Sequence, residues 1–205
     1  MTHASTSAYP VSSGGHALPG VLHLPAGDGP HPAVLLLHGF PGWERNFDLA
    51  HSLRRAGYAT LVFHYRGSWG AAGSWSWSNV LEDAAAAVRQ LRADPRVDAS
   101  RFAVVGHSMG GFAALRTVAA EPSIPAVVSI AGFDFGAAGT AANPDQYVEP
   151  FDGDLLPLQG TSGRALVDEM VAHGPEWRLA DLAPRLADRR VLLIGASRDT
   201  AAPPE

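Results

Sequence analysis

The chain has 205 residues, 46% of them hydrophobic and 17% charged, with a formal net charge of −5 at neutral pH. That is enough apolar material for one substantial core and a single α/β domain over residues 1–205; the interspersed acids and bases supply neither the basic stripe of a nucleic-acid binder nor the cationic amphipathic helix of a membrane-surface protein. The sequence holds no cysteine, which excludes disulfides, thiolate metal sites and a cysteine nucleophile; with no export-signal pattern in residues 1–10 and no long apolar run, a cytoplasmic protein is expected.

Residues 1–30 alternate weakly in polarity, with ALPGVLHLP at 17–25 the best strand, and they are expected to form the antiparallel edge of a sheet. AVLLL at 33–37 is a continuous apolar run, as a strand covered on both faces requires, and it runs into His38-Gly39-Phe40-Pro41-Gly42. Residues 47–56 are amphipathic and closed by Gly57, and ATLVF at 59–63 is a second buried strand. A loop rich in glycine, serine and tryptophan follows over 66–78. Asn79 with Glu82 three residues later predicts the start of a helix, and Val80, Ala84, Val88 and Leu91 continue it at helical spacing.

FAVV at 102–105 predicts a strand that stops at GHSMGG, with a helix from Met109 to Ala120; VVSI at 127–130 is a further strand. The polarity then becomes mixed over 134–174, which contains a helix predicted at 162–173 and is expected to be an insertion capping the site within the same domain. A short helix is expected over 179–186, and VLLI at 191–194 is the last strand. Strands alternating with helices of about ten to fifteen residues imply a mostly parallel sheet with helices on both faces.

The chemistry centres on Gly106-His107-Ser108-Met109-Gly110. Two glycines remove the Cβ atoms that would clash in a tight strand-to-helix turn, leaving Ser108 at its tip. A degenerate dinucleotide fingerprint is the weaker reading, because Ser108 stands where pyrophosphate needs glycine. With HGFPG before it and GASRD after it, each following an apolar strand, the turn resembles the G-x-S-x-G nucleophile elbow of the α/β-hydrolases, and the likeness runs from about residue 20 to the last residue. YRGSWG at 65–70 is similar to the corresponding loop of the dienelactone-hydrolase and prolyl-oligopeptidase branch.

That resemblance implies an α/β-hydrolase fold and a carboxylesterase-like serine hydrolase acting on a small ester or amide, with no metal or organic cofactor. Ser108 is the implied nucleophile, the N–H groups of Phe40 and Met109 the implied oxyanion donors, and Asp199 the implied triad acid, with Asp134 a rival. Trp69, Trp75 and Trp77 are candidates for lining a substrate pocket or for covering the core edge. Glu44 and Arg45 are expected to be surface charges beside the oxyanion loop.

The family order places a histidine after the acid, but none of the six residues after Asp199 is histidine. His38 and His107 lie within the site motifs, where a structural role is the simpler expectation; His64 and His173 are no better placed, and His3, His16, His23, His31 and His51 fall in segments away from the rim. Pro203-Pro204-Glu205 reads as the start of a helix. The expectation is therefore a fold lacking its C-terminal strand and helix, with the catalytic histidine beyond residue 205 and an exposed apolar edge at 191–194 suited to self-association or completion by another chain. The alternative is a non-catalytic, ligand-binding member that lost its base.

Overall fold

The computed structural model describes residues 2–199 and residue 202. In chain order the strands are β1 (Ser5–Ala8), β2 (Val11–Ser13), β3 (His16–Leu18), β4 (Gly20–Leu24), β5 (His31–Leu37), β6 (Ala59–Phe63), β7 (Val97–His107), β8 (Ala126–Ile130) and β9 (Arg190–Ile194). Seven of them form one sheet in the order β1-β4-β6-β5-β7-β8-β9, while β2 and β3 pair separately. The β1·β4 and β4·β6 pairings are antiparallel, and every pairing from β6 to β9 is parallel. The strand expected at 17–25 is divided at Pro19, which lacks a ladder N–H and instead accepts a hydrogen bond from the His64 amide at 2.9 Å.

The helices are α1 (Phe47–Arg55), α2 (Trp77–Arg92), α3 (Met109–Ala120), α4 (Phe135–Gly139), α5 (Val148–Gly153), α6 (Gly163–Trp177) and α7 (Ala183–Leu186), with 3-10 turns at Pro144–Tyr147 and Leu179–Leu182. Alternation along the strands sends Val34, Leu36 and Val62 to one face, under Ala50 of α1, and Leu35, Leu37, Leu61, Phe63 and Val104 to the other, under α2, α3 and α6. Cover is uneven. Val191, Leu192, Leu193 and Ile194 of β9 remain 40–67% exposed on both faces, the bare apolar edge expected from the sequence.

Helix α2 begins earlier than Asn79. Its N-cap is Ser76, whose side chain accepts the Asn79 N–H at 3.1 Å, and Glu169 of α6 accepts the Trp77 and Ser78 N–H groups at 2.8 and 2.7 Å. Glu82 is thereby free of any capping duty and pairs with Arg66. Arg66 also donates its backbone N–H and Nε to the two oxygens of Asp83, at 2.8 and 2.7 Å, and Asp83 is completely buried. This fastens the first residue of the tryptophan loop to α2.

The segment 134–174 folds as α4, a 3-10 turn, α5 and most of α6, which runs on to Trp177 from the N-cap Ser162. It pairs with the tryptophan loop: Trp69 N–H donates to Pro157, Trp75 N–H to Gln159 and Gln159 N–H to Gly67, at 2.8–2.9 Å. The helix expected over 179–186 is a 3-10 turn followed by α7, with Pro184 in the first turn of α7, where its missing N–H costs nothing.

Removing Asp83 leaves Arg66 with only the exposed Glu82 as counter-charge among the described residues and leaves its buried backbone N–H and Nε without their acceptor. Asp83→Ala is therefore expected to lower unfolding stability by about 3–5 kcal/mol, read from the urea midpoint.

Candidate active site

Strand β7 ends at His107, Ser108 takes φ 53° and ψ −121°, and α3 starts at Met109. That backbone conformation is strained for any residue with a side chain. The turn closes only because its glycines are bare: a Cβ on Gly106 would lie 1.9 Å from the Gly110 carbonyl oxygen, and one on Gly110 would lie 2.0 Å from the Leu37 carbonyl oxygen. Ser108 is held by backbone bonds as well. Its N–H donates to Ile130 at 2.8 Å, and its carbonyl accepts from Gly111, Phe112 and Phe133 at 2.8, 3.2 and 3.4 Å.

The loop after β5 meets this turn at Gly39, where a Cβ would sit 3.1 Å from the Ser108 Cβ. His38 is buried and hydrogen-bonds through Nδ1 to the Gly39 carbonyl at 2.8 Å. A carbonyl only accepts, so Nδ1 carries the proton and Nε2 is the bare nitrogen. The Gly39 carbonyl and the Phe40 N–H belong to one planar peptide unit, so the bond that holds the first also aims the second. Among the described residues neither the Phe40 nor the Met109 N–H has a hydrogen-bond partner; two free donors thus flank Ser108, one of them in the first turn of α3.

Burial, with Arg45 and His64 nearby, lowers the His38 imidazole to about 3 despite the Gly39 bond; burial and Arg45 lower His64 to about 4. Both rings are neutral at physiological pH. Among the described residues the His107 Nδ1 is shut in without a partner, and His173 stacks on Trp177. Among the described residues no histidine hydrogen-bonds to Ser108.

Asp199 lies in the turn beyond β9, where one carboxylate oxygen accepts the Ala202 N–H at 2.9 Å. The Ser108 N–H bonds to Ile130, and the next amide, Ala131, bonds to Ile194 at 2.7 Å, so Asp199 follows the strand end two places along the same rim. Asp134 is fully engaged elsewhere: its two oxygens accept from Ala137 at the start of α4 and from Leu179, at 2.9 and 3.0 Å. It is a helix cap and a tether.

The three tryptophans divide. Trp69 is partly exposed beside Trp43, donates Nε1 to the Pro41 carbonyl of the loop after β5 at 2.9 Å and lies under the Arg45 guanidinium. Of the two charges expected at the surface there, Glu44 is exposed and Arg45 is half-buried, stacked on Trp69. Trp75 and Trp77 are 2% and 1% exposed and offer no open surface; they are core residues packed beneath Phe40, and Trp77 donates Nε1 to Leu166 at 3.0 Å. Sequence reading missed Phe133, Tyr147 and Phe151, which adjoin this cluster; the spacing of Tyr147 and Phe151, one helical turn apart, was the available signal.

Among the described residues, no three metal-ligating side chains converge and no helix is long and apolar enough to cross a membrane. A hollow of about 300 Å³ lined by His3, His31 and Arg96 lies at the opposite end of β5 from Ser108.

A serine at the strained tip between a central parallel strand and its helix, beside a glycine-lined loop from the neighbouring strand, defines the nucleophile-elbow class of α/β proteins. The chain belongs to the alpha/beta hydrolase family, whose family model matches residues 34–205. It is 30% identical over 124 residues to 2,6-dihydropseudooxynicotine hydrolase of Paenarthrobacter nicotinovorans, covering 58% of this chain and 33% of that protein. It is 36% identical over 107 residues to Esterase EstD of Thermotoga maritima, covering 46% of this chain and 26% of that one. The match thus spans a third or less of either relative's length. Est1E from Butyrivibrio proteoclasticus, solved with ferulic acid bound, shares the fold with TM-score 0.74 and 21% identity, over 95% of this chain and 81% of that one.

Two outcomes test this geometry. Glycine tolerates the Ser108 backbone angles, so Ser108→Gly is expected to be more stable than Ser108→Ala by about 1 kcal/mol in matched denaturation curves. The His38 imidazole binds its proton far less readily folded than unfolded, so the unfolded chain takes up more protons between pH 6.5 and about 3. Stability is therefore full above that window and falls as pH drops through it, with His38 contributing a slope of up to about 1.4 kcal/mol per pH unit. His38→Gln, compared with the parent by thermal melts across that range, should flatten the dependence.

Proposed function

We propose that the protein is a serine hydrolase that cleaves carboxylic esters, and amides secondarily, through an acyl-enzyme on Ser108. The observation that carries this reading is the pair of unpartnered amides, Phe40 N–H and Met109 N–H, flanking a serine held in a strained backbone conformation. Fixed donors aimed at one point stabilise an oxyanion where it forms, and the positive end of α3 adds to their field.

In this reading Ser108 Oγ attacks the carbonyl carbon as its proton passes to a histidine, and the tetrahedral oxyanion is received by the two amides. The C–O bond to the alcohol then breaks, with the alcohol taking the proton from that histidine. Water, deprotonated by the same base, attacks the acyl-serine; the acid departs and the serine is restored. Asp199 orients the imidazole. His38 commits its Nδ1 proton to Gly39, and burial makes His64 a weak base, its pKa lowered to about 4, so both favour structural roles; the proposed base is a histidine outside the nine of these 205 residues.

His38 is a positioning residue in the same scheme, because it fixes the peptide that presents the Phe40 N–H. The names of the relatives, an esterase and a hydrolase, accord with ester chemistry.

The test is a fluorophosphonate probe and an activated ester applied to the full-length protein. Labelling is expected at Ser108, and Ser108→Ala should lose at least about 1,000-fold in kcat/KM. Ester turnover that persists in Ser108→Ala would overturn the acyl-enzyme, and a natural full-length protein that resists the probe would favour the non-catalytic, ligand-binding reading.

A further inference from the structure

Beside Ser108 the aromatic core comes to the surface. Phe112, Phe135, Trp75 and Trp77 are at most 2% exposed, whereas Phe40, Phe133, Tyr147 and Phe151 are only partly buried and form the outer margin of the same cluster. These four rings are in contact one after another: Phe40 with Phe151 at 5.4 Å, Phe151 with Tyr147 at 5.9 Å, and Tyr147 with Phe133 at 5.6 Å between centroids.

Both ends of the row are tied to the serine by the backbone. Phe40 follows Gly39, which lies against the Ser108 Cβ, and the Phe133 N–H donates to the Ser108 carbonyl at 3.4 Å. The two middle rings come from the insertion, Tyr147 from the end of its 3-10 turn and Phe151 from α5, one helical turn apart. The Tyr147 hydroxyl has no hydrogen-bond partner among the described residues. The row thus combines ring faces and edges with one unused polar group, and it spans the gap between the β5 and β8 rim loops that hold Ser108.

Resting on the reading of Ser108 as the nucleophile, we infer that Phe40, Phe133, Tyr147 and Phe151 form the specificity wall of the site, and that the substrate is an ester carrying a flat, uncharged aromatic group. Rings that meet edge-to-face and offset-stacked reward a further ring with quadrupole complementarity that an alkyl chain of equal size does not receive. The Phe40–Phe151 and Phe133–Tyr147 pairs cross at 68° and 88°, and the Tyr147–Phe151 pair is inclined by 21°, so both contact modes are present. The Tyr147 hydroxyl is placed to meet a polar ring substituent.

The experiment uses Ser108→Ala full-length protein, in which binding is separated from turnover, titrated calorimetrically with methyl hydrocinnamate, benzyl acetate and the size-matched alkyl ester methyl 3-cyclohexylpropanoate. The first two carry the ring on the acyl and the alcohol side, and at least one is expected to bind about tenfold more tightly than the alkyl ester. Tyr147→Leu and Phe151→Leu, which keep an apolar side chain of useful bulk, should reduce that preference to near parity without weakening methyl 3-cyclohexylpropanoate comparably. Equal affinity for all three esters, or an aryl preference untouched in both leucine variants, would overturn the wall. If a leucine variant fails to fold, Tyr147→Phe serves in its place: it should retain the preference for unsubstituted rings and lose discrimination in favour of methyl 3-(4-hydroxyphenyl)propanoate, and no change in that discrimination counts against the wall. A wall that passes while the fluorophosphonate fails to label Ser108 would reject the nucleophile and leave the wall standing.

Discussion

The site depends on one close approach between backbones. The carboxyl end of β5 and the amino end of α3 occupy space that no side chain can share, since a Cβ on Gly110 would lie 2.0 Å from the Leu37 carbonyl oxygen and 2.7 Å from that of His38. With the chains so near, Gly39 comes up against the Ser108 Cβ, and the free amides of the residues that follow each, Phe40 and Met109, belong to two turns in contact. A displacement of about an ångström at Gly110 would separate these turns, and in the proposed reaction alignment on that scale would govern the value of the two amides as oxyanion donors.

The surroundings are built to prevent such a displacement. Ser108 is bonded through its carbonyl to the first turn of its own helix and to Phe133, and through its N–H to β8. His38, buried and neutral, keeps the Gly39 peptide from turning over. Farther out, Arg66 and Asp83 hold the start of the tryptophan loop against α2. A buried ion pair adds little net stability over an apolar replacement; here its two-pronged geometry fixes where the loop begins.

Much of the fold was legible because its central strands are buried on both faces. AVLLL and ATLVF can belong only to covered strands, and the spacing of glycines around Ser108 has a steric meaning that survives without coordinates. What escaped was decided by distant partners. The start of α2 depends on Glu169, 92 residues from Trp77, and the engagement of Asp134 depends on Leu179, 45 residues away. For Trp75 and Trp77, pocket lining and covering the core edge were both open, and the pairing of Pro157 and Gln159 with the tryptophan loop, together with the start of α2 at Trp77, buries both in the core. The aromatic row was hidden because its members come from three separate segments.

The Glu169 contact also bears on how the insertion moves. Its carboxylate is the acceptor for two N–H groups of α2, and three backbone hydrogen bonds join residues 157–159 to the tryptophan loop. Swinging the insertion away as a body would strip both helix donors of their acceptor, the Trp77 N–H in a part-buried position and the Ser78 N–H in an exposed one, and unzip that ladder, at about 1–3 kcal/mol for each group that water does not then reach. The insertion is accordingly tied down as a body by its bonds to α2 and the tryptophan loop, and movement that leaves those bonds in place is confined to rotation of side chains along its margin, on a scale of picoseconds to nanoseconds.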